Sequence, residues 1–282
     1  MTAKSATTAT SKTIGDIAVT AVSDGVLSTA LDVVIAIDRS EAERLAGKKP
    51  GEPVEIPVNA FLLELDGVRV LIDTGAGNTM GPTLGKLADN LRAAGTPPES
   101  IDTILLTHLH SDHSNGLVDD DGRAIYPNAQ LVLHEAEAAF WLDRDEASGA
   151  NERIRRNIAK ARVTTGPYRE RMRTVRDGEA LPGVSAMLLA GHTPGHTGWL
   201  IQSRNQSLLV WGDIVHLASI QVPRPDVALV FDVDPQAASA TRRRLFDHAA
   251  AAKLTVAGAH LGFPGFGTIV RNGPGYAFEP DG

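Results

Sequence analysis

A layered αββα sandwich is the fold this sequence predicts, as an α+β single domain, and three observations predict it. Two stretches share one plan, a hairpin whose second strand runs into an aspartate. Amphipathic helical stripes lie outside each hairpin. No linker-like segment separates the two halves, so paired strands and outer helices belong to one layered unit.

In chain order, MTAKSATTATSKT opens the sequence with small, polar residues. Residues 1–15 are therefore expected to be a disordered tail, ahead of a single domain over 16–282. Phe61–Leu65, the dipeptide Asp66-Gly67 and Val68–Ile72 read as a hairpin with a type I′ turn, ending in Asp73-Thr74-Gly75. Leu84, Leu87, Ala88 and Leu91 repeat at helical spacing and stop at Gly95. An apolar run, Ile104–Leu106, follows. Residues 135–143 and 151–162 read as helices. The stretch 143–182 is highly charged and poor in strand signals, as expected of an insertion lying over a site. Strands resume at Ser185–Leu189. The second hairpin, Gly198–Gln202 and Ser207–Trp211 about a turn near Arg204-Asn205, ends in Gly212-Asp213. A helix over Pro235–Ala251 and a strand over Leu254–Ala257 complete the plan.

Composition narrows the class. With 282 residues, 43% hydrophobic and 22% charged, the chain can bury a sizeable core. A formal charge of −7 argues against a nucleic-acid partner. The densest basic run, Arg242-Arg243-Arg244, falls in a helix and is expected on a solvated face. The absence of cysteine excludes disulfides and thiolate ligands. Nothing approaches the roughly 18 apolar residues of a membrane span. The expected address is the cytoplasm, with a small-molecule substrate, no nucleic acid, no membrane, and room for a homodimer.

Chemistry concentrates in His108-Leu109-His110-Ser111-Asp112-His113. Three imidazoles and a carboxylate in six residues are more ligands than one ion needs. Alternation along an extended chain would put His108, His110 and Asp112 on one side. Partners for a second ion are expected at other strand ends. His192 or His196 in Gly191-His192-Thr193-Pro194-Gly195-His196-Thr197, Asp213, and His260 in Ala259-His260-Leu261-Gly262 all qualify. Glycines nearby let the backbone pass close to an ion. His134 and His248 carry no expected role.

At these residues the chain resembles the metallo-β-lactamase superfamily, over roughly residues 57–270. The family pattern is HxHxDH, a His in a Gly-His-Thr string, a bridging Asp and a last His. Within it the chain looks most like the methyl parathion hydrolase-like branch, through Met80–Gly85, Phe140-Trp141-Leu142 and His260–Gly265. It is similar, less closely, to N-acyl homoserine lactonases. The resemblance implies one ion on His108, His110 and His192, with His196 as the alternative. It implies a second ion on Asp112, His113 and His260, and Asp213 shared between the two. Two divalent ions are implied, zinc first, with manganese, cobalt or iron as substitutes.

Asp73 is either a plain turn residue or a carboxylate that orients a ligand histidine. His216 stands where homoserine lactonases place a tyrosine against the substrate carbonyl, and an imidazole there could donate to a developing oxyanion. Met80, Trp141 and Phe231 match pocket-lining positions, although Met80 replaces the aromatic residue of phosphotriester hydrolases. The implied activity is cleavage of lactone or ester bonds, aryl lactones or N-acyl homoserine lactones, by a metal-bridging hydroxide, with Asp112 moving a proton to the leaving group. An organophosphate triester hydrolase and a β-lactamase are the rival enzymes. A metal-bound module without catalysis is the non-enzymatic rival.

Overall fold

The computed structural model describes residues 7–143 and 151–281. The first half supplies strands β1 (Ala9–Ile14), β2 (Ile17–Thr29), β3 (Val34–Ile35), β4 (Val54–Leu65), β5 (Val68–Ile72), β6 (Thr103–Leu105) and β7 (Gln130–His134). The second supplies β8 (Met172–Val175), β9 (Gly178–Leu181), β10 (Val184–Leu188), β11 (Thr197–Ser203) and β12 (Gln206–Val210). It continues with β13 (Ala228–Leu229), β14 (Thr255–Ala257), β15 (Phe266–Asn272) and β16 (Gly275–Pro280). Helices α1 (Arg39–Ala46), α2 (Leu87–Ala93), α3 (Ser111–Ser114), α4 (Glu135–Ala138), α5 (Glu152–Thr165), α6 (Ala218–Gln221) and α7 (Pro235–Ala252) fill the connections. Two seven-stranded sheets result, ordered β1-β2-β4-β5-β6-β7-β8 and β16-β15-β14-β12-β11-β10-β9, with β3 and β13 paired separately.

Strand alternation explains the layers. Phe61 and Leu63 of β4 and Leu208 and Val210 of β12 point between the sheets, where they meet Trp199, Ile201 and Phe266. Their neighbours point outward. Ala60 and Leu62 pack with Leu87 and Leu91 of α2 and Ile158 of α5. Leu209 packs with Leu245, Phe246 and Ala249 of α7. Each sheet thus has one face on its twin and one under helices, the αββα arrangement that the sequence predicts. Both hairpins form in the expected register, Leu65 opposite Val68 and Ser203 opposite Gln206. Their turn residues Asp66, Gly67, Arg204 and Asn205 all take positive φ.

Four expectations need correction. The tail is not disordered throughout: Ala9–Ile14 pairs with Ile17–Val22 as an edge strand, while residues 1–6 lie outside the described residues. Its polar residues suit an edge, and Lys12 is held by Asp281 at 2.8 Å. The 143–182 stretch contains β8 and β9, half-exposed edge strands too short and polar to show an apolar alternation. Helix α2 starts at Leu87 rather than Leu84, because Gly85 takes φ +78° and Asp24 caps the helix by accepting from Leu87 N. Arg242 is buried, 1% exposed. Its guanidinium donates to the carbonyls of Ile214, Pro225 and Val227, while Arg243 and Arg244 face solvent as expected.

The topology places the chemistry. Strands β5 and β6 run parallel, as do β12 and β14, and each of these four ends at the same edge of the sandwich. Asp73, His108, Asp213 and His260 follow those four ends.

Candidate metal centre

The strand ends bring two groups of ligand atoms together. His108, His110, His192 and Asp213 form one, and Asp112, His113 and His260 form the other, each spanning no more than 4.8 Å. The alternation expected along His108–Asp112 breaks at Ser111, where the chain turns into α3. That single turn carries Asp112 and His113 to the second group.

Asp213 lies between the groups and faces both. Its Oδ2 is 3.5 Å from His108 Nε2 and 3.1 Å from His192 Nε2. Its Oδ1 is 3.0 Å from His113 Nε2 and 3.2 Å from His260 Nε2. Asp112 closes the second group at 3.4 Å from His260 Nε2 and 3.7 Å from His113 Nε2. Despite these distances, the Nε2 atoms of His108, His110, His113 and His260 and Oδ1 of Asp213 are buried without a hydrogen-bond partner. Unpaired polar atoms in a protein interior cost about 1–3 kcal/mol each. Five that converge on two points make a donor set that two cations would satisfy, so the residues present fit a binuclear centre.

The far side of the rings is tied down. His113 Nδ1 bonds Asp73 at 2.8 Å, and Asp73 also accepts from Thr107 N and Oγ1. His192 Nδ1 bonds Asp232 at 2.8 Å, and His260 Nδ1 donates to Pro57 O at 2.7 Å. A proton fixed on Nδ1 leaves the Nε2 lone pair facing the cluster. Asp73, for which the sequence left a turn residue and a histidine-orienting carboxylate both open, thus contacts the ring of His113 through its carboxylate.

His196 is used differently. Its Nδ1 donates to Leu189 O, and its Nε2 accepts from the backbone N of Asp213 at 2.9 Å. With both nitrogens bonded, and outside both ligand groups, it braces the Asp213 loop. Gly212 is required there: its φ is +55°, and a Cβ would lie 2.6 Å from His196 Nε2.

Charge in the cluster is unevenly held. Burial works against ionisation of Asp213, but His113, His260 and His216 outweigh it and keep the carboxyl well below its usual range. Burial also opposes protonation of His192, yet Asp213 and Asp232 lift it to about 9. His108 and His110 are pushed well below the normal imidazole value, by burial first and by neighbouring imidazoles next. His196 is driven down to about 3 by burial and by His192.

A cavity of about 360 Å³ opens on the cluster and is lined by Met80 and Phe231, with Leu27 and Ile56 beside them. Trp141 does not line it. It is fully buried behind His110, ring centroids 5.6 Å apart, and donates to Glu137. His216 does line the cavity, with Nε2 3.0 Å from Asp213 Oδ2 and its ring stacked on His260 at 4.8 Å. Asp213, His216 and His260 also form a third ligand grouping. His134 caps α4 through Nδ1, and His248 is exposed.

The sequence reading missed two acids. Asp232 gave no signal because it sits alone in a loop before α7. Glu137 falls in the expected 135–143 helix and was given no role there, yet it is fully buried and accepts four hydrogen bonds, from Leu109 N, Trp141 Nε1, Thr193 Oγ1 and Gly195 N. The apolar company of Glu137, Ala136-Ala138-Ala139-Phe140-Trp141, was the available hint.

The sequence model of the Metallo-beta-lactamase superfamily matches residues 53–260, which contain every residue of the two ligand groups. The chain belongs to the metallo-beta-lactamase superfamily. Among curated relatives, an N-acyl homoserine lactonase of Bacillus cereus is 26% identical over 180 residues, 57% of this chain and 64% of the relative. The N-acyl homoserine lactonase AiiB of Agrobacterium fabrum is 29% identical over 174 residues, covering 54% and 60%. The matched segment thus spans just under two thirds of these curated relatives. Among solved structures, a hydrolase of the beta-lactamase superfamily, AbOPH, is similar across 99% of both chains at 33% identity and a TM-score of 0.92. AidC, a dizinc quorum-quenching lactonase with a bound N-acyl homoserine product, shares the superfamily fold over 97% of both chains at 24% identity and a TM-score of 0.90.

Proposed function

We propose that this protein is a binuclear metal-dependent hydrolase that opens lactones and cleaves related esters. The observation that carries the reading is Asp213, whose two oxygens face two separate groups of buried imidazoles, in which Nε2 of His108, His110, His113 and His260 has no hydrogen-bond partner. His108, His110 and His192 would hold one ion, Asp112, His113 and His260 the other, with Asp213 common to both. Nitrogen and oxygen donors without sulfur suit zinc, and manganese, cobalt or iron less well. When bound, two such ions activate water at neutral pH and polarise the electrophile. The lactonase activity of the curated relatives supports the substrate class.

The chain's own residues supply the rest. Asp73 and Asp232 orient His113 and His192 and hold their Nδ1 protons. Asp112, partly buried at the cavity wall, would carry a proton to the leaving alkoxide. His216 lines the cavity wall with Nε2 3.0 Å from Asp213, and its imidazole would donate to charge growing on a carbonyl oxygen. Met80, Phe231 and Leu27 exclude water on one side and accept an acyl chain or aryl leaving group. That wall also admits aryl phosphotriesters as a side activity.

The test is a substrate panel on one zinc-loaded sample: an aryl lactone, an N-acyl homoserine lactone, an aryl phosphotriester and nitrocefin. Faster turnover of the lactones is expected. A preference for nitrocefin would make the protein a β-lactamase, and no turnover of any would leave a metal-bound module.

A further inference from the structure

The cavity has a second wall of opposite character. Helix α5 begins at Asn151, whose side chain accepts from Ile154 N, and buries Ile158 and Ala161 in the core. Arg153, Arg156 and Lys160 line the cavity. Spacings of three and four residues put them on one helix face. Seven residues of helix spread the three cations over about 10 Å. Arg153 is anchored, donating to Phe231 O at 3.0 Å across the cavity rim. Among the described residues, none of the three is ion-paired with a carboxylate. Among the described residues, the carboxylates on the cavity lining are Asp112 and Asp213, both within the ligand groups. A chain with a formal charge of −7 thus concentrates three cations beside its reaction site. Such a field raises the local concentration of anions and retains them.

Resting on the hydrolase reading above, we propose that the substrates this site prefers are amphipathic esters or lactones that carry an anionic group, a carboxylate in the first instance. The apolar part lies along Met80, Leu27 and Phe231. The anion lies along α5, on Arg156 and Lys160, with Arg153 completing the wall. Arg156 and Lys160 determine specificity here and take no part in bond breaking.

Two matched probe pairs test this. The first compares mono-4-nitrophenyl glutarate, an anion, with 4-nitrophenyl butyrate, neutral, on zinc-loaded enzyme. The ratio of their kcat/KM values, relative to their ratio in uncatalysed hydrolysis, is expected to favour the anion at least tenfold at low salt. It should fall towards one in 1 M salt, where the Debye length shrinks to about 3 Å, and in Arg156→Gln/Lys160→Gln. The effect should appear mainly in KM. A ratio near one that ignores both salt and substitution overturns the proposal and leaves the hydrolase reading standing.

The second pair measures binding without turnover, by equilibrium dialysis of the corresponding 4-nitroanilides. The anionic anilide is expected to bind at least tenfold more tightly, and to lose that advantage in the double variant. Equal affinities, or an advantage that survives the substitutions, overturns the proposal. If neither ester is hydrolysed, the ester part of the hydrolase reading fails and this binding arm still decides.

Discussion

Glu137→Ala should damage this protein more than the loss of one surface-helix acid would suggest. The carboxylate gathers Leu109 N at 2.8 Å and Trp141 Nε1 at 2.7 Å on Oε1, and Thr193 Oγ1 at 2.6 Å and Gly195 N at 3.0 Å on Oε2. Leu109 lies between His108 and His110, and Thr193 and Gly195 follow His192, so one side chain fixes three imidazoles of one ligand group. In the alanine variant the Thr193 hydroxyl can turn elsewhere, but three buried N–H groups lose their acceptor. At roughly 1–3 kcal/mol each, less the relief of no longer burying a carboxylate, the loss is about 3–6 kcal/mol. That is a large share of a typical 5–15 kcal/mol stability. Glu137→Gln keeps Oε1 for Leu109 and Trp141, and Thr193 can reverse its hydroxyl. Only Gly195 N is then stranded, for a loss of about 1–3 kcal/mol. Urea unfolding of both variants, in chelator and with zinc, measures the two losses, and the zinc-dependent increment should shrink in the alanine variant. A glutamine variant as damaged as the alanine one, or an alanine variant within about 1 kcal/mol of wild type, would refute this accounting.

Three further outcomes are expected. His192→Ala should cost bound metal and most turnover, whereas His196→Ala should retain metal and lose stability by about 1–3 kcal/mol through the freed Asp213 N–H. The reverse pattern, read by metal analysis and unfolding, would exchange their roles. His216→Leu should retain metal and lower kcat/KM for a lactone by about a hundredfold or more, with a smaller effect on an aryl phosphotriester, whose charge is spread over several oxygens. Equal losses on both substrates would indicate damage to the centre, and a fall in metal content would make His216 a ligand. In chelated protein, His192, lifted from 6.5 to about 9, contributes stability that is full below pH 6.5 and is lost as pH rises through 9. The zinc-dependent increment should run the other way, growing with pH because the ligands bind metal as neutral imidazoles; parallel profiles with and without zinc would contradict that sign.

Periodic and dense signals were legible in the sequence. Two apolar runs about Asp-Gly placed the β4–β5 hairpin, helical spacing placed α2 apart from its start, and His108–His113 announced itself by crowding. What stayed hidden depends on tertiary company. Edge strands β1, β8 and β9 need no apolar alternation, because one face is solvated and the ladder is backbone. Arg242 reads as a solvated cation until three carbonyls from two loops converge on it. Asp232 and Glu137 become supports of the centre only when His192 and its loop are folded against them. The side toward which Asp112 points turned on α3, a single helical turn that alternation cannot foresee. Trp141 was placed one layer too near the substrate, since a resemblance in sequence does not distinguish a ring in the cavity from one behind His110.

The central claim is two metal ions per chain that share Asp213. Elemental analysis of protein dialysed against dilute zinc, for wild type and Asp213→Ala, tests it most directly. Two equivalents in the wild type are expected, with loss of both in the variant, since neither group keeps its fourth partner. A wild type that saturates at one equivalent, or a variant that still holds two, would contradict the shared centre.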